Sequence, residues 1–310
     1  AFPVLTKYFV IETSEGCKAF LGDPAKDAPA DGKEVRGTGY VWTTFSRGTD
    51  ANGKEQTRQV DLNFRNPAVL AEILSVLLFY VRKGAQMIRL DAIGYIWKVL
   101  GSSSIHERGC HVMLEILYGL LQIAAPGVMT IAEVNEPQSK CFEYLGREGY
   151  PQGDMVYQFS AFPLAIHAEI AQDTTQFRKW LGTMNAVKGK QFITVLGSHD
   201  GLGQKQAREL LPKEDLELLQ RTLIDKRGGR PNYGKAGSER IVYEICGTPW
   251  NLVNGVGDAE PLDLRIARFV AVLCMGLLAR GMPGLYINGL IGACNYEPEG
   301  GVDEARTLNR

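Results

Sequence analysis

Three short apolar runs, each closing on a carboxylate, constrain this chain more than any other feature. Ile88-Arg89-Leu90-Asp91 ends on an arginine and an aspartate, Thr130-Ile131-Ala132-Glu133 on a glutamate, and Ile193-Thr194-Val195-Leu196-Gly197-Ser198-His199-Asp200 on a histidine and an aspartate. Apolar runs of this length read as strands buried on both faces, as in a parallel sheet. In parallel β/α architectures the C-terminal strand tips share one face, where loops build active sites. Three tip carboxylates therefore predict one site.

The segments between these runs supply the helices that a parallel sheet needs. Asn66 is suited to cap a helix and Pro67 to open it. Val69, Leu70, Ile73, Leu74, Leu77 and Val81 then recur at helical spacing up to Gly84. Further helices are predicted at His111–Ala124, Gln138–Leu145, Leu164–Ala171, Thr175–Gly182, Glu214–Asp225 and Leu264–Arg280, and further strands at Val128–Ala132, Met155–Phe159, Phe192–Leu196 and Leu285–Ile287. Gly201–Pro261 reads as a long polar insertion with a Gly-rich turn at Gly228-Gly229, and Asn288–Arg310 as a loop-like tail. Repeated strand–helix units give an α/β fold on a parallel sheet. Five such strands are counted where a (β/α)8 TIM barrel needs eight, so the chain enters such a barrel late. Residues 1–58 are irregular, with Pro, Gly, Asp and Lys crowding Gly22–Gly39 and Arg47–Arg58 around one β-rich stretch, Gly39–Phe45. They are set apart as a lid or insertion region, and 59–310 as a partial catalytic (β/α) barrel.

Composition narrows the class. A net charge of −1 over 310 residues leaves no basic footprint for nucleic acid. No apolar run reaches the roughly 18 residues of a membrane span, since Arg265, Arg268 and Arg280 interrupt Leu264–Arg280. The six cysteines are scattered with no CxxC pair, which favours reduced thiols in a cytoplasmic setting over a disulfide framework. No signal peptide is legible.

Two carboxylates flanking a glycosidic bond are the minimum machinery for sugar transfer, one as nucleophile and one as acid/base. Arg89 lies two residues before Asp91, on the same strand face, and a fixed cation there keeps Asp91 ionised and nucleophilic. Glu133, at an apolar strand end, is the candidate proton donor. Asp200 is the candidate for holding sugar hydroxyls and stabilising an oxocarbenium-like transition state. Other signals are weaker. His106 and His111 are five apart, about 140° around a helix, so a zinc site is not expected. Gly201-Leu202-Gly203 lacks the third glycine of a dinucleotide fingerprint. Trp42, Trp97, Trp180 and Trp250 fit a core, with only Trp97 beside the Asp91 motif and suited to stack on a sugar. The stretch Asp225–Arg230 reads as a solvated turn.

The order Arg-x-Asp, Glu, His-Asp resembles the α-amylase clan of glycoside hydrolases. Within the clan, the chain is similar to the sucrose phosphorylase and glucosylglycerate phosphorylase group. The matching text is Val60–Phe64, Ile88–Lys98, Glu133–Pro137, Met155–Phe159, Ser198–Gly201 and Ala305–Arg310, so the resemblance covers about residues 40–310. It implies strands 4–8 of a (β/α)8 barrel with part of the preceding lid domain. It implies Asp91 as nucleophile, Glu133 as acid/base and Asp200 as transition-state stabiliser, with Arg89, Tyr95, His199 and Arg310 binding the sugar. The implied reaction passes a glucosyl group from a small α-glucoside to inorganic phosphate through a covalent intermediate, with no metal or organic cofactor. The alternatives are a hydrolase or transglycosidase, and a non-catalytic, degenerate barrel serving a larger assembly.

The resemblance also has gaps. The clan's Asp…Asn-His motif of the third strand does not occur here. Three barrel strands and a C-terminal β domain are therefore expected elsewhere, with a companion chain completing the barrel over otherwise open edges. The clan's histidine after the acid/base proline is Gln138, its Leu-Pro-Gln-Thr between histidines is Glu107-Arg108-Gly109-Cys110, and its Asn-Asp after the last strand is Asn295-Tyr296. These bear on acceptor and phosphate binding.

Overall fold

The computed structural model describes residues 11–13, 39–42, 44, 61–99, 101–186, 189, 191–236, 239–257, 259–297, 299 and 305–310. They fall into two units, Ala1–Val134 with Gly146–Gly153, and Asn135–Leu145 with Asp154–Arg310. Most of the region 1–58 set apart as a lid, including the loops Gly22–Thr38 and Arg47–Arg58, lies outside the described residues.

In the first unit, β1 (Ile11–Thr13) pairs antiparallel with β2 (Gly39–Val41), Ile11 opposite Val41. Helix α1 (Pro67–Arg82) starts where its cap chemistry directs: Asn66 Oδ1 accepts from Ala68 N at 3.0 Å and Pro67 takes the first turn. It ends before Gly84, whose φ of 96° suits a residue without Cβ. The next strand, β3 (Met87–Leu90), runs parallel to β4 (Met129–Ala132), Leu90 opposite Ala132. Between them α2 (Arg108–Ala124) buries Cys110, Leu114, Leu117 and Leu121, the 3–4 residue spacing of one face. Leu77, Ile88, Leu117 and Leu121 form a core cluster that carries β3 on its apolar side. A short hairpin of β5 (Gly146–Arg147) and β6 (Tyr150–Pro151) completes this unit.

In the second unit, α3 (Gln138–Glu143) precedes β7 (Met155–Gln158), α4 (Ala161–Ala171) and α5 (Thr175–Ala186). Strand β8 (Gln191–Leu196) is flanked by two parallel neighbours, β7 and β12 (Met282–Leu285). Five of its six residues are buried, as a two-sided apolar run predicts. Helix α9 (Leu262–Leu277) lies so close to it that a Cβ on Gly276 would meet Leu196 Cδ2 at 2.1 Å.

Three expectations for this unit need correction. The last strand is Met282–Leu285, not Leu285–Ile287; Met282-Pro283-Gly284 reads as a turn, but an edge strand tolerates proline and β8 supplies the pairing. The polar insertion holds an antiparallel sheet of order β10-β11-β9, formed by β9 (Leu202–Gly203), β10 (Arg230–Ala236) and β11 (Glu239–Cys246), with helices α6 (Lys205–Leu210), α7 (Lys213–Asp225) and α8 (Pro249–Asn254). The tail holds α10 (Ile287–Leu290) and a 3-10 turn at Ala305–Asn309.

Candidate active site

In the first unit three predicted residues meet. Arg89 Nη1 is 2.6 Å from Asp91 Oδ1, as side chains two apart on one strand face should be. Nη2 of the same guanidinium is 3.9 Å from Glu133 Oε2. Glu133 follows β4, its N–H donates to Leu90 O at 3.0 Å, and its Oε2 accepts from Ala92 N at 2.9 Å. That bond depends on the backbone of Ala92, which is left-handed at φ 46°, a conformation that costs a non-glycine residue about 1–3 kcal/mol and recurs at functional sites. Asp91 is 71% exposed and Glu133 only 12%. A cation and an N–H donor both face Glu133, so its setting is less apolar than the strand alone predicts.

Tyr95 closes the 3-10 turn Ile93–Tyr95 that follows Asp91. Its carbonyl accepts from Lys98 Nζ at 2.5 Å, and Lys98 is buried against Asp61 Oδ2 at 2.8 Å and Thr44 Oγ1 at 2.6 Å. The turn after β3 is thus pinned by an ion pair beneath it. Trp97 serves packing here: its indole lies where a Cβ on Gly109 would be 2.2 Å away, and the Arg65 guanidinium is 5.3 Å from its centroid. His106 sits on the loop before α2 and His111 within α2, where its Nδ1 meets Gln152 Oε1 at 2.8 Å.

In the second unit, His199 and Asp200 follow β8 after Gly197, whose φ of 86° and closeness to Pro249 (2.5 Å from a Cβ) both require glycine. Asp200 Oδ1 collects Arg306 Nη1 at 2.6 Å, Arg310 Nη2 at 3.2 Å and His199 Nε2 at 3.8 Å. Arg310 Nε also donates to His199 O at 3.3 Å, and Asn309 Nδ2 donates to Ser198 O and Asp200 O at 3.1 and 2.9 Å. The 3-10 turn Ala305–Asn309 therefore holds the tip of β8. Asp200 also borders a shallow, open recess lined by Phe159, Phe162, Val195 and Ser198.

Sequence reasoning missed Arg306, Asn309 and Glu244. Burial opposes the Arg306 charge, but hydrogen bonds and the charge of Glu244 outweigh it and hold the guanidinium above its ordinary value. Burial, then the Glu244 charge, pushes the Cys246 thiol well up, so it is no nucleophile. A lone glutamate inside the β-rich run Ile241–Cys246 was the available signal for Glu244. Gln138 Oε1 accepts from Trp180 Nε1 at 2.7 Å and from Gln158 Nε2 at 2.9 Å. Arg227 of the Asp225–Arg230 turn pairs with Glu169 and donates to Leu252 O.

Residues 44–206, just over half of the chain, match the family described as the alpha-amylase catalytic domain. The chain belongs to that family. Its fold is accordingly part of a (β/α)8 barrel, represented in the first unit by the parallel pair β3 and β4 and in the second by the parallel strands β7, β8 and β12. Among similar proteins, the glucosylglycerate phosphorylase of Allomeiothermus silvanus is 35% identical over 278 residues, covering 88% of this chain and 48% of that protein. The one from Escherichia coli is 33% identical, over 88% of this chain and 47% of its own length. The chain thus spans about half the length of the curated relatives it matches. Among solved structures, sucrose 6F-phosphate phosphorylase from Thermoanaerobacter thermosaccharolyticum shares the fold at a TM-score of 0.67, with 20% identity over 84% of this chain and 49% of that one. No helix among the described residues is long and apolar enough to cross a membrane.

Proposed function

We propose that this alpha-amylase-family protein is a retaining glycoside phosphorylase. It cleaves a small α-glucoside of the glucosylglycerate or sucrose type with inorganic phosphate as co-substrate, in the cytoplasm, without a metal or organic cofactor. Asp91 attacks the anomeric carbon while Glu133 protonates the departing glycosidic oxygen, leaving a glucosyl ester on Asp91. A phosphate oxygen then displaces Asp91, with Glu133 now as base, giving glucose 1-phosphate with the original configuration. Asp200 stabilises the oxocarbenium-like transition states, and Arg89, Tyr95, His199 and Arg310 bind the sugar.

The observation that carries this reading is one guanidinium, Arg89, engaged with both tip carboxylates, the exposed Asp91 and the sheltered Glu133. The names of the curated relatives supply the phosphate half of the proposal. The second unit also leaves Leu262, Leu264, Leu278, Ile287, Leu290 and Ile291 at least half exposed, which supports the expectation that further strand–helix units of the barrel cover this face.

The test is phosphate dependence. The intact native protein is expected to release glucose 1-phosphate from glucosylglycerate or sucrose only when phosphate is present. Treated with an activated glucosyl donor in phosphate-free buffer, it should gain one glucosyl group by mass, and Asp91→Asn should not. Equal turnover without phosphate would make it a hydrolase, and labelling of Asp91→Asn would overturn the assignment of the nucleophile.

A further inference from the structure

Glu244 is a carboxylate with no exposed surface on β11, far in sequence from every motif of the site. Its oxygens accept from Arg306 Nε at 2.6 Å and Nη2 at 2.8 Å, and from Asn232 Nδ2 at 3.0 Å. The third arm of the same guanidinium, Nη1, reaches Asp200 Oδ1 at 2.6 Å. Arg306 is thus a planar bridge with one edge locked to a buried anion and the other set on the tip carboxylate. Space for the bridge comes from Gly201, where a Cβ would lie 2.9 Å from Glu244 Cγ and 2.8 Å from Cys246 Sγ.

We propose that Glu244 is a positioning residue that acts through Arg306 to fix the rotamer of Asp200. The proposal rests on the reading of Asp200 as the carboxylate that stabilises the transition state. Among the described residues, every side-chain cation reaching Asp200 does so at Oδ1. That leaves Oδ2 to face a ligand. Arg310 and His199, 48% and 56% exposed, reach Oδ1 at longer distances, and among the described residues no buried anion holds them. Arg306, 29% exposed and tied to Glu244, is the member that sets the orientation. Removing the Glu244 charge frees the guanidinium to turn fully onto Asp200, which rotates the carboxylate away from the sugar.

The test is a double-mutant cycle in the intact native protein. Glu244→Gln, nearly isosteric, is expected to lower kcat for phosphorolysis by about 10²-fold, the cost of a misplacement on the order of 1 Å, with KM within threefold. Arg306→Met should do the same. The double variant should be no slower than the slower single one, because both act through one bridge. Effects that multiply, or a wild-type kcat in Glu244→Gln, would overturn the proposal. If Glu244→Gln does not fold, Arg306→Lys replaces it. A lysine keeps a cation beside Glu244 but cannot span both carboxylates, so kcat should fall in a variant that still melts cooperatively; an unchanged kcat would overturn the proposal.

A wild-type protein inactive on every glucoside would refute the proposed function and leave the bridge to be read by nitrogen-15 NMR. The Arg306 Nε–H resonance should exchange slowly and shift in both Glu244→Gln and Asp200→Asn. A resonance indifferent to Asp200→Asn would show that the bridge does not orient Asp200.

Discussion

Replacing Lys98 by methionine tests how the turn after Asp91 is held. The Lys98 side chain is 2% exposed, and all three ammonium protons are used: on Asp61 Oδ2 at 2.8 Å, Thr44 Oγ1 at 2.6 Å and Tyr95 O at 2.5 Å. Methionine preserves the apolar stem and removes the charge, stranding an Asp61 side chain only 14% exposed. Breaking a buried pair from one side costs about 3–5 kcal/mol. Asp61 keeps donors from Thr44, N at 3.1 Å and Oγ1 at 2.5 Å, which places the cost near the lower end, about 3 kcal/mol or a factor of roughly 10² in the folding constant. Urea unfolding of the variant against wild type reads this directly. Asp61→Asn added to Lys98→Met should recover part of the loss, since the stranded charge is then gone, whereas activity should stay low because the Tyr95 carbonyl is still untethered. A Lys98→Met cost under about 1 kcal/mol, or a double variant less stable than Lys98→Met, would refute the claim that a buried ion pair secures this turn.

Two further perturbations follow from packing and charge. Gly276→Ala puts a methyl 2.1 Å from Leu196 Cδ2 and should destabilise the protein by about 1–3 kcal/mol in thermal or urea melts, whereas Gly182→Ala, with nothing near its Cβ, should be neutral or stabilising. The Glu260 carboxyl is held below its usual 4.5 by hydrogen bonds from Arg268, whose Nη1 and Nη2 lie 2.6 and 2.8 Å from its oxygens. A depressed carboxylate stabilises the fold above its unfolded-state pKa and loses that contribution as pH falls through the folded value. Glu260→Gln should therefore lower stability at neutral pH and flatten the loss on acidification below about 4.5; parallel curves for the two proteins would contradict this.

The legible parts of the fold are those where local chemistry and tertiary packing agree. Asn66-Pro67 and the apolar spacing after it place α1 to within a residue, and the run Phe192–Leu196 places β8, because a strand buried on both faces has little choice of sequence. Legibility fails where pairing overrides propensity. Pro231 and Gly234 argue against a strand, yet β10 pairs with β11 along its length, with a register shift between Asn232 and Tyr233 absorbing the irregularity. Met282-Pro283-Gly284 reads as a turn until β8 lies beside it. Gly182 reads as a helix stop, but α5 continues to Ala186; its Cβ position faces open space, so glycine there costs about 1 kcal/mol without ending the helix.

The site divides along the same line. Arg89 and Asp91 are two residues apart, so the period of a strand is enough to predict their contact. Glu244 and Arg306 are 62 residues apart, joined by no shared period or motif, and their pairing exists only once β11 and the Ala305–Asn309 turn are in place. The consequence is chemical. In the first unit one arginine serves two carboxylates, Asp91 and Glu133. In the second unit the carboxylates Asp200 and Glu244 are matched by Arg306 and Arg310. Positive charge developing on a glucosyl ring is stabilised by fixed negative charge and by carboxylates that need not reorient as the reaction proceeds. Under the proposed function, the bridge from Glu244 through Arg306 answers the second requirement for Asp200. Arg89→Gln, which removes a cation from the first unit and leaves the bridge in the second untouched, should therefore change kcat by a factor that multiplies with that of Glu244→Gln.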